Sequence, residues 1–237
     1  MSQPPRPSRG EPAPAGDPDQ YLTVTDGPGV ELREKGSRFL AVACFAPDRE
    51  AAQTRLESVR RAHFDATHHC WALRLSPPEQ PIEHSEDDGE PSGTAGVPIL
   101  NAMRRAGLLD CQVIVVRWFG GVKLGTGGLA RAYGACASQA LAAAGRRQVW
   151  RTAALQVDCA YEDVGAVEAV LARAAEAVRQ VERVFEEHPK VRILVLAGRA
   201  QALGEALREA TAGRARISLE AGAAPPGRAT PPPPRSR

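Results

Sequence analysis

The stretch CQVIVVRWFGGVKLGTGGLARAYGACASQALAAAG, residues 111–145, joins an apolar strand, a glycine-rich loop and a long helix. Its first nine residues, CQVIVVRWF, are apolar without alternation, which is typical of a strand buried on both faces of a sheet. The helix is predicted to be capped by Thr126 and to end at Gly145. This stretch therefore predicts the centre of a domain that contains both helices and a sheet.

The residues that precede this stretch predict the remaining elements of the same domain. Residues 30–46 are typical of a hairpin with Gly36 and Ser37 at or near its turn. Residues 48–64 predict a helix with Asp48 as its N-cap. HHCWALRL, residues 68–75, alternates as a strand, and an acidic loop separates it from a short helix ending at Gly107. We expect the folded part to begin near Val30.

The chain after residue 151 starts a second pattern. Predicted strands and helices follow one another in the order β-α-β-β-α-β over about seventy residues, from ALQVDCAY to ARISLE. This order is the split-βαβ pattern of ferredoxin-like domains, and its length suits an independent domain. RRQVWR, residues 146–151, is interpreted as a connector or as the last strand of the first domain.

Four segments are expected along the chain. Residues 1–28 predict a disordered proline-rich tail, 29–150 a first domain, 151–220 a ferredoxin-like domain and 221–237 a disordered tail rich in proline and arginine. The expected fold class is α+β.

The charges are balanced in number but unevenly distributed. The chain of 237 residues has 30 Lys and Arg against 28 Asp and Glu, a net charge of +2. Six acids and no Lys or Arg lie in residues 76–100, whereas eight Lys and Arg and the single acid Asp110 lie in residues 101–151. An acidic segment beside a basic one indicates either mutual docking or two surfaces for different partners.

The five cysteines are widely spaced and form no CxxC pair, so neither a zinc site nor a disulfide framework is predicted. No apolar run reaches about 18 residues, so we expect a cytoplasmic protein without a membrane partner. No metal and no cofactor are expected.

The glycine-rich loop is the first candidate binding site. Glycines let a backbone approach a ligand closely, and the free N–H groups at a helix N-terminus attract anions. The alternative is that the glycines only allow tight packing. The spacing matches neither GxGxxG nor a P-loop, which excludes a Rossmann or P-loop assignment. The candidate residues for contact with a phosphate or an RNA backbone are Arg117, Gly120, Gly121, Lys123, Gly125, Thr126, Gly127, Gly128 and Arg131.

The second candidate is the acidic loop SEDDGEPSGTAG, residues 85–96, with Asp87, Asp88 and Glu90. Carboxylate clusters bind Mg²⁺ or Ca²⁺, but these three acids lack the spacing of a known calcium loop. Asp88-Gly89 is a turn signal, and acids ahead of a helix favour its positive end. A structural or docking role is therefore preferred over a metal site.

His68 and His69 open a predicted strand, in which His68 projects with Cys70 and His69 with Trp71. A histidine beside a cysteine suggests a thiol nucleophile with its base. The alternative is a buried core cysteine, which is more common. No GxSxG or HExxH motif is present.

Four blocks together resemble the YigZ/IMPACT family: KGSRF (35–39), THHCWA (67–72), SEDDGEPSGTAGVPIL (85–100) and VVRWFGGVKLGTGGLARAY (115–133). The resemblance implies two α/β sandwich domains, the first similar to the ribosomal-protein-five domain 2-like fold and the second similar to domain V of elongation factor G. Eukaryotic members of this family are described as regulators of translation. Some bacterial members are described as proline dipeptidases, but no suitable set of metal ligands is visible here.

Three functions follow as hypotheses. The leading one is a non-enzymatic module that binds RNA or the ribosome through the basic glycine-rich face. The second is an enzyme or small-molecule-binding protein with a phosphorylated ligand between the acidic loop and residues 120–128. The third is a regulator that docks a protein partner on the acidic loop. We also expect the acids to face Arg117, Lys123 and Arg131 across a shared groove.

Overall fold

The computed structural model describes residues 19–76, 81–185 and 187–220. These residues form two compact units, an N-terminal unit of residues 21–149 and a C-terminal unit of residues 150–220 with residues 19 and 20. The tail predicted for residues 221–237, and the first eighteen residues of the one predicted for residues 1–28, lie outside the described residues.

The N-terminal unit contains seven strands and three helices among its described residues. They are β1 (Gln20–Val24), β2 (Val30–Glu34), β3 (Ser37–Phe45), α1 (Arg49–Ala62), β4 (His68–Leu75), β5 (Ile82–Glu86), α2 (Gly96–Ala106), β6 (Cys111–Trp118), α3 (Thr126–Ala143) and β7 (Arg146–Trp150).

A five-stranded antiparallel sheet in the order β2-β3-β6-β4-β5 is the centre of this unit. The predicted central strand β6 lies between β3 and β4, and Val115 stands opposite both Ala41 and Cys70. Successive residues of a strand face opposite sides of a sheet, so β6 contributes to two cores. Val113 and Val115 pack with α2 and α3, whereas Ile114 and Val116 pack with α1. The prediction of a strand buried on both faces is confirmed.

Local signals predicted several boundaries correctly. The turn expected at or near Gly36 and Ser37 is formed by Lys35 and Gly36 with φ of 46° and 80°, the left-handed pair that suits a two-residue hairpin loop, and Ser37 is the first residue of β3. The Asp48 carboxylate accepts a hydrogen bond from the Ala51 N–H at 2.7 Å and caps α1. Gly107 ends α2 with φ of 66°.

The start of the fold and the strand β5 differ from the prediction. The fold begins before Val30, because β1 pairs with β7 and buries Tyr21 and Val24. The segment expected to be wholly loop begins with β5, an edge strand that pairs only with β4.

Thr126 is not the cap of α3 but its first helical residue. The preceding Gly125 occupies the N-cap position with φ of 73°, a conformation that glycine adopts without strain, and no side-chain cap is present there.

The C-terminal unit contains β8 (Thr152–Asp158), α4 (Val164–Arg173), β9 (Val178–Phe185), β10 (Pro189–Leu196), α5 (Ala200–Ala210) and β11 (Arg216–Glu220). Its sheet is antiparallel in the order β11-β8-β10-β9, and both helices contribute to its single core. The predicted β-α-β-β-α-β order is confirmed. In the described part of the chain, no helix is both long and apolar enough to cross a bilayer.

Candidate functional site

The carboxylate of Glu90 is the centre of a buried polar network in the N-terminal unit. Its side chain is only 3% exposed, and it accepts hydrogen bonds from Arg117 Nη1 at 2.5 Å and from the Tyr133 hydroxyl at 2.7 Å. The second amino group of Arg117 donates to Ser37 Oγ at 3.2 Å. A buried charge is tolerated when it is paired and hydrogen-bonded in this way. The network thus joins the acidic loop to β6, α3 and the start of β3.

His68 and Cys70 lie beside this network, as the predicted strand orientation requires. His68 Nε2 is 3.8 Å from the Glu90 carboxylate, and its Nδ1 is 2.7 Å from the carbonyl oxygen of Asp88. The Cys70 thiol donates to the Asp87 carbonyl oxygen at 3.0 Å and lies 3.4 Å from the Tyr133 hydroxyl.

The acid–base properties of these groups argue against a thiol nucleophile. Burial raises the pKa of Cys70 to about 12, although the Tyr133 hydrogen bond lowers it in part. Burial also raises the pKa of Tyr133, and Cys70 and Glu90 add to this effect. The thiolate is the reactive form of cysteine, so Cys70 is held in its inert form near neutral pH. The arrangement supports the alternative of a core cysteine.

The half-buried carboxylate of Asp87 caps α2. Its carboxylate accepts hydrogen bonds from the N–H groups of Gly93, Ala95 and Gly96 at 2.7, 2.9 and 2.8 Å. Burial alone would raise the pKa of Asp87, but these three donors outweigh burial and lower the pKa below its ordinary value. Asp87 is thus the acid that interacts with the positive end of this helix, as the sequence predicted.

Asp88 is also engaged within the unit. Its carboxylate accepts a hydrogen bond from the His69 N–H at 2.7 Å and lies 3.1 Å from Arg60 Nη2. Burial lowers the pKa of the His69 side chain, whose Nε2 is 3.0 Å from the His63 carbonyl oxygen. Among the residues that the structure describes, no group of three or more His, Cys, Asp or Glu side chains is placed to hold a metal ion.

The predicted groove between acids and bases is reduced to a single buried ion pair. Arg117 meets Glu90, but Arg117 is 4% exposed and therefore presents no charge to an external phosphate. Lys123 and Arg131 are exposed, and within residues 19–76, 81–185 and 187–220 they form no ion pair with Asp87, Asp88 or Glu90. Arg117 is buried because it pairs with Glu90 and donates to Ser37, and the sequence does not reveal these two contacts.

The glycines of the glycine-rich loop have two different roles, tight packing and left-handed backbone conformation. A Cβ on Gly120 would lie 2.0 Å from the Gly36 carbonyl carbon, so Gly120 is required for tight packing of two backbones. Gly121 and Gly125 instead adopt φ of 84° and 73° in open space. The loop is exposed from Phe119 to Lys123, and Leu124 is its buried anchor.

The first turn of α3 is an exposed N-terminus without a side-chain cap. Arg131 lies one turn further along the helix and reaches back, since a Cβ on Gly127 would be 3.7 Å from Arg131 Nη1. Gly128 packs on Leu124, which leaves Thr126 and Gly127 at the surface. The arrangement places two positively charged side chains, those of Lys123 and Arg131, near free backbone N–H groups, which is a combination that attracts anions.

Ser37, Tyr133 and Thr67 were not predicted as site residues. Tyr133 was hidden because its ring also belongs to the apolar face of α3, where it packs edge-on against Phe39 at 5.2 Å between ring centroids. Ser37 and Tyr133 each lie within a block of the family resemblance, and this position was the one signal in the sequence that could have identified them as site residues. A surface depression of about 530 Å³ beside the start of α1 contains none of the predicted site residues.

Comparison with known proteins supports the resemblance that these blocks predict. Residues 35–141 match the model of the Impact N-terminal domain. IMPACT family member YvyE of Bacillus subtilis is 40% identical over 121 residues, 51% of this chain and 55% of that protein. IMPACT family member YigZ of Escherichia coli is 39% identical over 139 residues, 58% of this chain and 68% of that protein. The chain thus spans a little over half the length of the Bacillus relative.

A solved structure described as a hypothetical protein extends the similarity to both units. It aligns with a TM-score of 0.62 at 29% identity and covers 84% of this chain and 96% of its own.

Proposed function

The chain belongs to the IMPACT family, and from this premise we propose that it is a non-enzymatic, translation-linked regulator that binds RNA or the ribosome. The link to translation comes from the family, because its eukaryotic members are described as regulators of translation. The mode of binding is argued from the charges and the exposed backbone of the N-terminal unit.

The observation that carries this proposal is the basic surface at the start of α3. Lys123 and Arg131 are exposed there beside an uncapped helix N-terminus. No Asp or Glu occurs from residue 111 to residue 149, and the exposed cations of this stretch are Lys123, Arg131 and Arg146. Positive side chains and free N–H groups bind phosphate oxygens without regard to base sequence.

A non-enzymatic role is favoured over catalysis because the charged groups around Glu90 are paired with one another inside the unit, although the buried Nε of Arg117 has no hydrogen-bond partner among the described residues. Arg117 and Tyr133 both donate to Glu90, and the Cys70 thiol has a pKa near 12. A catalytic group needs a pKa near the working pH and access to a substrate. The network instead has the properties of a structural connection between the acidic loop and α3.

Replacement of both exposed cations tests the proposal. Lys123→Gln with Arg131→Gln should weaken co-sedimentation with ribosomes or RNA at low salt and leave folding intact. The slope of log K against log salt should fall by roughly 0.7 to 0.9 for each cation that contacts a phosphate.

The matched control is Arg105→Gln with Arg208→Gln, which removes the same charge from exposed positions on α2 and α5. Equal loss of binding in both double variants would show a general charge effect only. No association of the unaltered protein with RNA or ribosomes at low salt would refute the proposal.

A further inference from the structure

We infer that one end of the five-stranded sheet stacks unpaired bases and so binds single-stranded RNA. This aromatic end comprises the turn at Lys35 and Gly36, the loop of residues 63–67 and the loop of residues 118–123. The inference rests on the proposed function and deepens it, because it names the form of RNA and the side chains that meet the bases.

The three segments of the aromatic end are joined by direct contacts. The Thr67 N–H donates to the Arg117 carbonyl oxygen at 2.8 Å, and the Phe119 N–H donates to Thr67 Oγ1 at 3.0 Å. The Gly120 N–H donates to Ser37 Oγ at 3.3 Å, directly after the turn. The loop that contains Phe119 is thereby held against both neighbours.

Large apolar side chains are exposed at this end. Phe64 is 85% exposed, Phe119 47% and Val122 54%. Phe64 stands between His63 and Asp65, which both contact Trp118, so it lies close to the β6 end. Phe64 and Phe119 are thus both placed near Trp118 at one end of the sheet, and exposed aromatic side chains at such a place suit a binding surface.

The Phe119 ring is oriented by its surroundings before any ligand arrives. The guanidinium carbon of the buried Arg117 lies 5.5 Å from the Phe119 ring centroid, within the range of a cation–π contact. A platform that is already in place loses less conformational entropy when a base stacks on it. The Glu90 network therefore supports this surface by holding Arg117.

Positively charged side chains lie near these aromatic rings, although Arg38 is also paired with Glu31 at 3.4 Å. The guanidinium carbon of Arg38 lies 3.7 Å above the Trp118 ring centroid, and Lys35 and Lys123 are exposed on the turn and the loop. Asp65, an acid at this end, accepts a hydrogen bond from the Trp118 indole N–H at 3.0 Å.

Aromatic rings with flanking cations fit stacked bases and their phosphates. The bases of a duplex are covered by one another, so stacking on Phe64 or Phe119 requires a single strand. We assign single-stranded RNA and not a protein segment to the aromatic end, because the exposed Lys35 and Lys123 near the rings suit the phosphates between stacked bases.

Binding of a labelled single-stranded RNA of about 12 nucleotides and mixed sequence tests the inference, measured by fluorescence anisotropy on the full chain. Phe64→Ala and Phe119→Ala should each raise Kd at least about fivefold, since each base–aromatic stack contributes roughly 1–3 kcal/mol. Phe185→Ala is the matched control because it removes an aromatic ring that is 54% exposed, on the C-terminal unit. It should leave Kd unchanged.

Leucine variants separate stacking from simple apolar contact. Phe64→Leu and Phe119→Leu keep an apolar side chain but lose the ring face, so they should bind RNA as weakly as the alanine variants. Recovery of RNA binding with leucine would overturn the inference, because an apolar contact without a ring face would then be enough.

The remaining outcomes distinguish this inference from the proposed function. Ribosome or duplex RNA binding that survives in the Phe64 and Phe119 variants, without binding of the single strand by the unaltered protein, would overturn the inference and leave the proposed function standing. Absence of binding to every RNA probe and to ribosomes would overturn both. Thermal unfolding of each variant at an unchanged Tm confirms that these exposed positions report on binding.

Discussion

At the scale of single residues, the acids of the loop have different partners and different roles. Asp87 binds backbone N–H groups of α2, Asp88 binds the backbone of β4, and Glu90 pairs with Arg117. Composition alone presents them as one acidic patch available to a metal or a partner. Because these three carboxylates are engaged inside the unit, they stabilise the fold, whereas Glu86 at the start of the loop is exposed.

The Glu90–Arg117 pair leads to the first prediction. Glu90→Gln should lower the free energy of unfolding by about 3 kcal/mol, because it leaves the Arg117 charge buried without a counter-charge. Urea denaturation at neutral pH measures this change. Glu86→Gln is the control, since Glu86 is an exposed acid on the preceding strand and should change stability by less than about 0.5 kcal/mol. Equal effects at the two positions would contradict the assigned role of Glu90.

At the scale of elements, the loop between β5 and α2 is organised by the helix that it precedes. The N-terminus of α2 has no side-chain cap from Ala95, its N-cap residue. Asp87 supplies this function from eight and nine residues earlier in the chain, through Ala95 and Gly96. A negative charge at this position also interacts favourably with the helix dipole.

This cap predicts a pH dependence. The pKa of Asp87 is lowered in the folded state, so its charged form stabilises the fold. That contribution is complete above the unfolded-state pKa of about 4 and is lost as the pH falls through the lower folded-state pKa. Asp87→Asn should therefore cost about 1–2 kcal/mol at pH near 7 and progressively less below pH of about 4. Urea midpoints across this range measure the difference, and a difference that stays constant with pH would contradict the assignment.

At the scale of the whole molecule, each unit has its own buried core and a separate antiparallel sheet. The five cysteines are distributed over both units, and all are free and buried. Burial raises the pKa of Cys44 and Cys111 to about 12 and that of Cys136 to about 11. The wide spacing of the cysteines in the sequence had predicted no disulfide framework.

Thiol labelling of the native protein is the prediction at this scale. Near pH 8 the buried thiols should react slowly with a disulfide reagent, because the thiolate is scarce and the reagent must wait for an opening of the fold. In concentrated urea all five should react quickly. A rapid stoichiometric reaction of one thiol in the native protein would show that a cysteine is activated, and peptide mapping would identify it.

The sequence by itself determined the elements whose signals are local. The continuous apolar run of β6, the turn at Lys35 and Gly36, the Asp48 cap and the Gly107 stop depend on residues within a few positions of one another. The order of elements in the C-terminal unit was readable for the same reason, since each strand or helix carries its own periodicity. β5 escaped prediction because an edge strand pairs on one side only and needs few apolar residues.

Only the tertiary structure decided what the polar residues do. Glu90 is 27 residues from Arg117 and 43 from Tyr133, and no local pattern links residues so far apart. The local sequence around an arginine beside a glycine-rich loop does not show whether its guanidinium contacts solvent or a buried carboxylate. Packing of β6 against the acidic loop buried Arg117, whereas Lys123 and Arg131 on the exposed loop and helix kept their charges at the surface.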